Sequence, residues 1–197
     1  VHQVLADTVV LAAFAVQNAR LLLASRTDKF PDGLANEHGL VGRYLMTHIS
    51  TSIYGLFEEE TSPQLGPTGG QLINQDNYAN KQRENGAFGS WQWLIANALK
   101  PNDLLGIVNT RPDIYGAALH PFMARAARHM GNMVNIGEDV ARFENCVSLS
   151  KTLDAYNMPL AHTVHNVEAE GDAMNKLAVE EGLDVFKAAG AVEAWQG

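Results

Sequence analysis

Hydrophobic and polar positions along this chain switch between two repeats, and each switch marks an element. Val4–Ala12 carries the unbroken apolar run Val9-Val10-Leu11 after Thr8, the pattern of a strand buried on both faces of a parallel sheet. Ala12, Ala13 and Ala15 keep side chains small at the turn that follows, and Val16–Ser25 reads as a short helix whose Leu21, Leu22 and Leu23 supply surface to bury. Pro31-Asp32-Gly33 predicts a turn leading into the glycine-punctuated stretch Gly33–His48. Ile49–Phe57 alternates as a strand does, and Glu58–Gly70 reads as an exposed loop. Ile73–Trp93 is mixed, with Tyr78, Phe88, Trp91 and Trp93 close together, a cluster that serves as plain core or as a pocket wall.

Pro121 suits the first turn of a helix in which Phe122, Met123, Ala126, Ala127 and Met130 recur on one side, with Gly131 as its C-cap. Met133–Val140 and Cys146–Ser150 predict strands, and Thr163–Val167 a third beyond a turn near Asn157-Met158-Pro159. Glu168–Ala189 is the most regular helix: acids crowd its first turn, Lys187 lies in its last, and Gly190 ends it. Strands this widely spaced among helices imply an α+β architecture, with an α/β-type layer at the front and a mixed or antiparallel sheet with flanking helices behind it.

Composition narrows the function classes. The 197 residues are 46% hydrophobic and 18% charged, as in a globular chain able to bury one sizeable core. The net charge of −8, with 14 Lys and Arg and no basic run, argues against nucleic acid as a partner. No apolar stretch approaches the ~20 residues of a membrane-spanning helix. Cys146 is the single cysteine and reads as a buried, inert thiol.

The common catalytic signatures G-x-G-x-x-G, P-loop, G-x-S-x-G and H-E-x-x-H do not occur. Gly66–Gly70 reads as a flexible loop, since neither a helix nor a lysine follows to complete an anion cradle. His162 and His165 point to opposite faces of the expected strand, so no metal pair is expected there. His120 and His129 fall on nearly opposite sides of one helix and read as surface or capping residues.

Four segments carry a resemblance to a known family. "ADTVVLAAFAVQNARLLLAS" (Ala6–Ser25) resembles the returning strand and helix of the glucose–methanol–choline flavin oxidoreductases, whose usual form is close to VVLAAGAI-x-TPRLLLLS. Phe14 stands for the family's glycine, and Gln17-Asn18-Ala19 for its x-Thr-Pro, a variant closer to the sugar and gluconate dehydrogenase branch. "GLANEHGLVGRYLMTH" (Gly33–His48) is similar to GL-x-N-xx-G-x-VGR-x-(F/L)-M-x-H, with Asn36, Gly39, Val41, Gly42, Arg43 and His48 in register. "GEDVARFENCVSLSKTLDAYNMPLAH" (Gly137–His162) looks like the E-x-x-P-x-x-x-NRV-x-L segment more loosely, with Ala141 near the usual proline and Cys146 for the arginine. "FKAAGA" (Phe186–Ala191) is similar to the helix end before the family's catalytic histidine.

The resemblance implies an FAD-dependent dehydrogenase that oxidises a CH–OH group of a sugar, polyol or aldonate by hydride transfer to flavin. The family's G-x-G-x-x-G and catalytic histidine segment fall outside the matched motifs, so the chain is expected to be an internal, inactive fragment with no catalytic residue of its own. Residues 1–48 are expected to belong to an FAD-binding domain and 49–197 to a substrate-binding domain. Ala12, Ala13, Phe14, Ala15 and Asn36 are the implied cofactor-binding residues, and Trp91 and Trp93 the expected substrate-pocket wall. Packing alone would equally explain the small residues, an interdomain ion pair Arg43, and a buried hydrogen bond His48. A cytochrome or small-subunit partner and a periplasmic or membrane-associated location follow by family analogy. A noncatalytic sugar-binding or interaction domain is the alternative from another class.

Overall fold

The computed structural model describes residues 4–69, 71–79, 86–95 and 98–197. It contains helices and antiparallel sheets, an α+β fold, divided into two compact units. Unit 1 comprises Val1–Met46 and Ala141–Asn166; unit 2 comprises Thr47–Val140 and Val167–Gly197.

In unit 1, helix α1 (Ala15–Ala24) packs on a hairpin of β5 (Cys146–Leu153) and β6 (Pro159–Val164). The expected strand over Val4–Ala12 does not form: Val4, Leu5, Val9 and Val10 are 76–98% exposed and no described strand pairs with the segment. A β-branched run holds a strand only when neighbours satisfy its backbone on each side, and no strand among the described residues does so. The hairpin turn comes earlier than its sequence suggests, and β6 starts at Pro159 rather than Thr163. The Asp154 Oδ1 accepts N–H groups of Tyr156 and Met158, an Asx-type turn that reverses the chain by residue 157. Proline is then tolerated as first residue of the returning edge strand.

Unit 2 is a five-stranded antiparallel sheet in the order β2-β3-β4-β1-β7: Leu72–Asn74, Trp91–Ile95, Met130–Gly137, Ser52–Leu56 and Glu193–Gln196. One face is covered by α4 (Ala169–Ala188), whose Met174, Ala178 and Phe186 pack against Ile53, Trp93 and Met133. Gly171 and Gly182 let α4 approach closely; a Cβ on Gly182 would lie 2.7 Å from Ile53 and 2.8 Å from Trp93. On the other face, Leu56 and Met130 meet Leu104 and Ile107 of α2 (Asp103–Val108) and Ala126 of α3 (Leu119–His129).

Gly131 is not the cap of α3. The helix ends at His129, Met130 is already extended, and Gly131 lies inside β4. Its missing side chain is explained by space, since Phe57 and Phe186 stand 3.0 and 3.3 Å from where a Cβ would be. Helix α2 and strand β7 are absent from the sequence reading: each is short, and each is fixed by neighbours rather than by its own periodicity. Arg111 ties β7 to the α2–α3 connection through Asp113 at 2.8 Å and Glu193 at 3.0 Å, with its guanidinium 4.8 Å from the Trp195 ring. Trp195 Nε1 donates to Thr110.

Candidate functional site

Three of the segments that carried the sequence resemblance meet in unit 1, through Ala6–Ser25, Gly33–Met46 and Ala141–His162, while Phe186–Ala191 lies in unit 2. Gly42 accepts a 2.7 Å hydrogen bond from the Val147 N–H, Arg43 bridges to Cys146, and Leu34 donates to Leu22 of α1. Gly42 has φ +82°, and a Cβ there would collide with the Val147 carbonyl, so both backbone shape and space require glycine. Asn36 is buried; its Oδ1 accepts the Val41 N–H and its Nδ2 donates to the Asp32 carbonyl, pinning the loop. Asn145 clamps the Asn166 backbone in both directions, at 2.9 and 3.0 Å. Arg43 lies 4.3 Å above the Phe143 ring, and Tyr44 meets the same ring edge-on. Asn36, Gly39, Val41 and Arg43 border an open cavity of about 450 Å³ together with Arg26, Asp32, Glu37 and Ser148.

Ala12, Ala13, Phe14 and Ala15 are exposed at the head of α1. Asn18 holds this stretch, accepting from the Ala13 N–H at 2.9 Å and donating to the Leu11 carbonyl at 3.3 Å. Phe14 has φ 56° and ψ 167°, a region that is essentially reserved for glycine, and its side chain is 66% exposed. Phe14 holds this glycine-favoured backbone at a cost. Exposed backbone flanked by methyl side chains fits the approach of a flat cofactor. Asn36, whose carboxamide is spent on Asp32 and Val41, would act on such a group through the loop it shapes.

In unit 2, Trp91 and Trp93 are 3% and 2% exposed, on the α4-covered face of the sheet. Only Trp91 also borders a cleft, of about 150 Å³, together with His48, Tyr78, Gln92 and Glu138. Trp91 Nε1 donates to Glu181, which also accepts two hydrogen bonds from Asn77. Trp93 Nε1 is buried with no hydrogen-bond partner. The structure does not bring the two indoles together as one wall. Cys146 is buried, as expected of an inert thiol, and no group of three or more metal-ligating side chains occurs among the described residues. No helix among them is long and apolar enough to cross a membrane.

The sequence does not single out Asn132, Asn135 or Asn145 as buried. Asn135 is fully buried; its Oδ1 accepts the Thr51 N–H and its Nδ2 donates to Asn175 at 3.3 Å. Nothing in the local pattern distinguishes it from a surface asparagine, because its partners lie 84 and 40 residues away.

Charge pairs at the periphery are ordinary ones. Arg128 beside Glu60 holds that carboxyl below its usual range, and Arg111 does the same to Asp113. The Arg20 hydrogen bond, with N–H donors from Met158 and Tyr156, lowers Asp154 likewise.

No protein-family model matches the chain. It is 26% identical over 197 residues to the 2-methyl-1,2-propanediol dehydrogenase of Mycolicibacterium austroafricanum, covering 98% of this chain and 35% of that protein. It is 41% identical over 64 residues to the paromamine 6'-oxidase of Streptomyces fradiae, 32% of this chain and 12% of the relative. It is 45% identical over 47 residues to the fructose dehydrogenase large subunit of Gluconobacter japonicus, 24% of this chain and 9% of the relative. The chain thus spans about a third of the length of the first of these and about a tenth of the others. Each is by name a dehydrogenase or an oxidase, and the relationship of this chain is to oxidoreductases.

Proposed function

We propose that this chain is part of an FAD-dependent dehydrogenase of the glucose–methanol–choline type, which oxidises a CH–OH group of a sugar, polyol or aldonate. The observation that carries the reading is the similarity to a diol dehydrogenase along 98% of the chain, with three of the four resembling segments meeting in unit 1. When bound, FAD supplies the hydride acceptor for such an oxidation. The residues here would hold and shape its surroundings. Ala12, Ala13 and Ala15 leave room for the cofactor against the backbone, Phe14 presents its ring beside them, and Asn36 keeps the neighbouring loop in place. The reading assigns no proton transfer to any residue of this chain. Unit 2 would contribute to the substrate side, and a cytochrome or small subunit would accept the electrons, with a periplasmic location or membrane association through that partner.

The test is to purify the protein expressed from its complete reading frame and measure flavin absorbance and dye reduction with sugars and polyols. Bound FAD with polyol-dependent dye reduction is the expected result. A flavin-free protein that binds sugars without reducing dye would overturn the reading in favour of a noncatalytic binding domain.

A further inference from the structure

We infer that the open cavity of unit 1, walled by the last turn of α1, the start of β5 and the loop over residues 32–43, binds a short zwitterionic peptide. Its volume of about 450 Å³ falls in the roughly 300–1,000 Å³ range of small-molecule sites. Four charged side chains border it, Arg26 and Arg43 against Asp32 and Glu37. None of the four enters an ion pair among the described residues. Arg26 spends only Nε, on the Leu23 carbonyl at 3.4 Å. Arg43 lies 4.3 Å over the Phe143 ring and donates no side-chain hydrogen bond among the described residues, and the Asp32 and Glu37 carboxylates accept none there.

Charge complementarity selects the ligand. An inorganic anion drawn to the two guanidiniums would meet Asp32 and Glu37 in the same cavity, and a simple cation drawn to the carboxylates would meet Arg26 and Arg43. A molecule with one ammonium and one carboxylate presents the right sign to each pair. A guanidinium takes a carboxylate through parallel N–H donors, and an ammonium donates to carboxylate oxygens. Leu23, Val41, Val147 and Leu149 also line the cavity and offer apolar surface to aliphatic side chains. A free amino acid brings both charges but fills only part of this volume. A di- or tripeptide carries the same two charges with more side chain for the apolar lining.

The walls are fixed by bonds that leave the four charges unused. Asn36 accepts from the Val41 N–H at 3.0 Å and donates to the Asp32 carbonyl at 2.9 Å, so the loop carrying Asp32 and Glu37 is closed on itself. The Gly39 N–H donates to the Asn36 carbonyl at 3.1 Å, and the Leu34 N–H to the Leu22 carbonyl of α1 at 2.9 Å. The 2.7 Å bond from Val147 to Gly42 brings Arg43 beside β5. Such prior ordering reduces the entropy lost on binding. No flavin enters this site: Asn36 is the one lining residue given a cofactor role above, and its carboxamide is spent inside the loop. A peptide of this kind is neither the alcohol oxidised nor the electron acceptor, so the site goes beyond the oxidoreductase reading and does not rest on it.

Calorimetric titration of the protein expressed from its complete reading frame, with alanyl-leucine as the probe, tests it. Saturable binding with a Kd on the order of 0.1 mM is expected. N-acetyl-alanyl-leucine lacks the ammonium and alanyl-leucinamide the carboxylate, and each should bind about tenfold more weakly. Glu37→Gln should weaken alanyl-leucine about tenfold and leave N-acetyl-alanyl-leucine unchanged. Arg26→Gln should weaken it similarly and leave alanyl-leucinamide unchanged. Both side chains are exposed, and circular dichroism checks that each variant is folded; should one fail to fold, the other reports alone. The inference is overturned by an absence of saturable binding, by blocked peptides that bind as tightly as alanyl-leucine, or by folded variants that bind it like the parent. Binding is read with neither alcohol nor dye present, so this test can fail while the oxidoreductase reading stands, and the reverse.

Discussion

Arg20 of α1 places Nη2 2.5 Å from Asp154 Oδ2 in the turn between β5 and β6, 134 residues away in sequence. The same guanidinium donates through Nε to the Pro159 carbonyl and through Nη1 to Gln17, and so locks the helix to the hairpin at one point. Asp154 in turn organises the hairpin by accepting from Tyr156 and Met158. Because α1 buries no residue fully, this polar clamp has unusual weight in unit 1.

The clamp has a definite pH dependence. Asp154 is held below its usual range, first by the Arg20 hydrogen bond and then by the two backbone N–H groups. A carboxyl lowered in the folded state stabilises fully above its unfolded value of about 4, and the contribution is lost as pH falls through the folded value. Urea unfolding followed by a probe in unit 1 should show stability falling at acid pH. In Asp154→Asn that acid limb should flatten, with neutral-pH stability reduced. An unchanged acid limb in the variant would show that Asp154 does not report on the clamp.

Phe14→Gly should stabilise the chain. A non-glycine residue in this backbone region costs about 1–3 kcal/mol, and glycine's greater unfolded-state freedom returns about 0.5–1 kcal/mol of that. With the ring 66% exposed, little buried surface is lost. Phe14→Ala keeps the strain and should give no such gain. The comparison of urea midpoints for the two variants decides the point.

Two helical glycines should answer alanine with opposite signs. At Gly182 the added Cβ meets Ile53 and Trp93 inside 3 Å, and overpacking of about 1–3 kcal/mol outweighs the helix-propensity gain of roughly 1 kcal/mol. At Gly106 in α2 nothing lies within 4 Å, so Gly106→Ala gains propensity alone. Thermal melts should move down for the first and up for the second.

Removing the Glu181 carboxylate should loosen a specific neighbourhood. Glu181→Ala removes the half-buried carboxylate that accepts from the Trp91 indole N–H and the Asn77 amide, a loss of about 1–3 kcal/mol for hydrogen bonds to a charged group. Hydrogen exchange should accelerate at the Trp91 indole and over residues 75–79, while α1 and the β5–β6 hairpin exchange as before.

The sequence by itself determined the elements whose cause is local. Helix α4 was legible from Glu170 and Asp172 near its start, Lys187 in its last turn and Gly190 beyond it, and α1 from its leucines. The loop expected over Glu58–Gly70 was legible from its prolines and glycines as far as the described residues go, and β1 from the alternation of Ile49–Phe57. The later part of β4 was legible from the strand expected over Met133–Val140, although β4 begins earlier, at Met130. The α+β class followed from that spacing.

Tertiary structure decided the rest, because the deciding contacts join distant residues. Val9 and Val10 have the composition of a strand but no described strand to pair with. Gly131 resembles a cap in sequence, yet its role is set by Phe57 and Phe186, 74 and 55 positions away. Asn36, Asn135 and Asn145 are identical side chains on paper, and only the fold gives each its backbone or side-chain partner. Trp91 and Trp93 are two residues apart and so share a sheet face, which adjacency announced; that this face lies under α4 was decided by the small residues Gly171, Ala178 and Gly182 of a helix nearly eighty positions on.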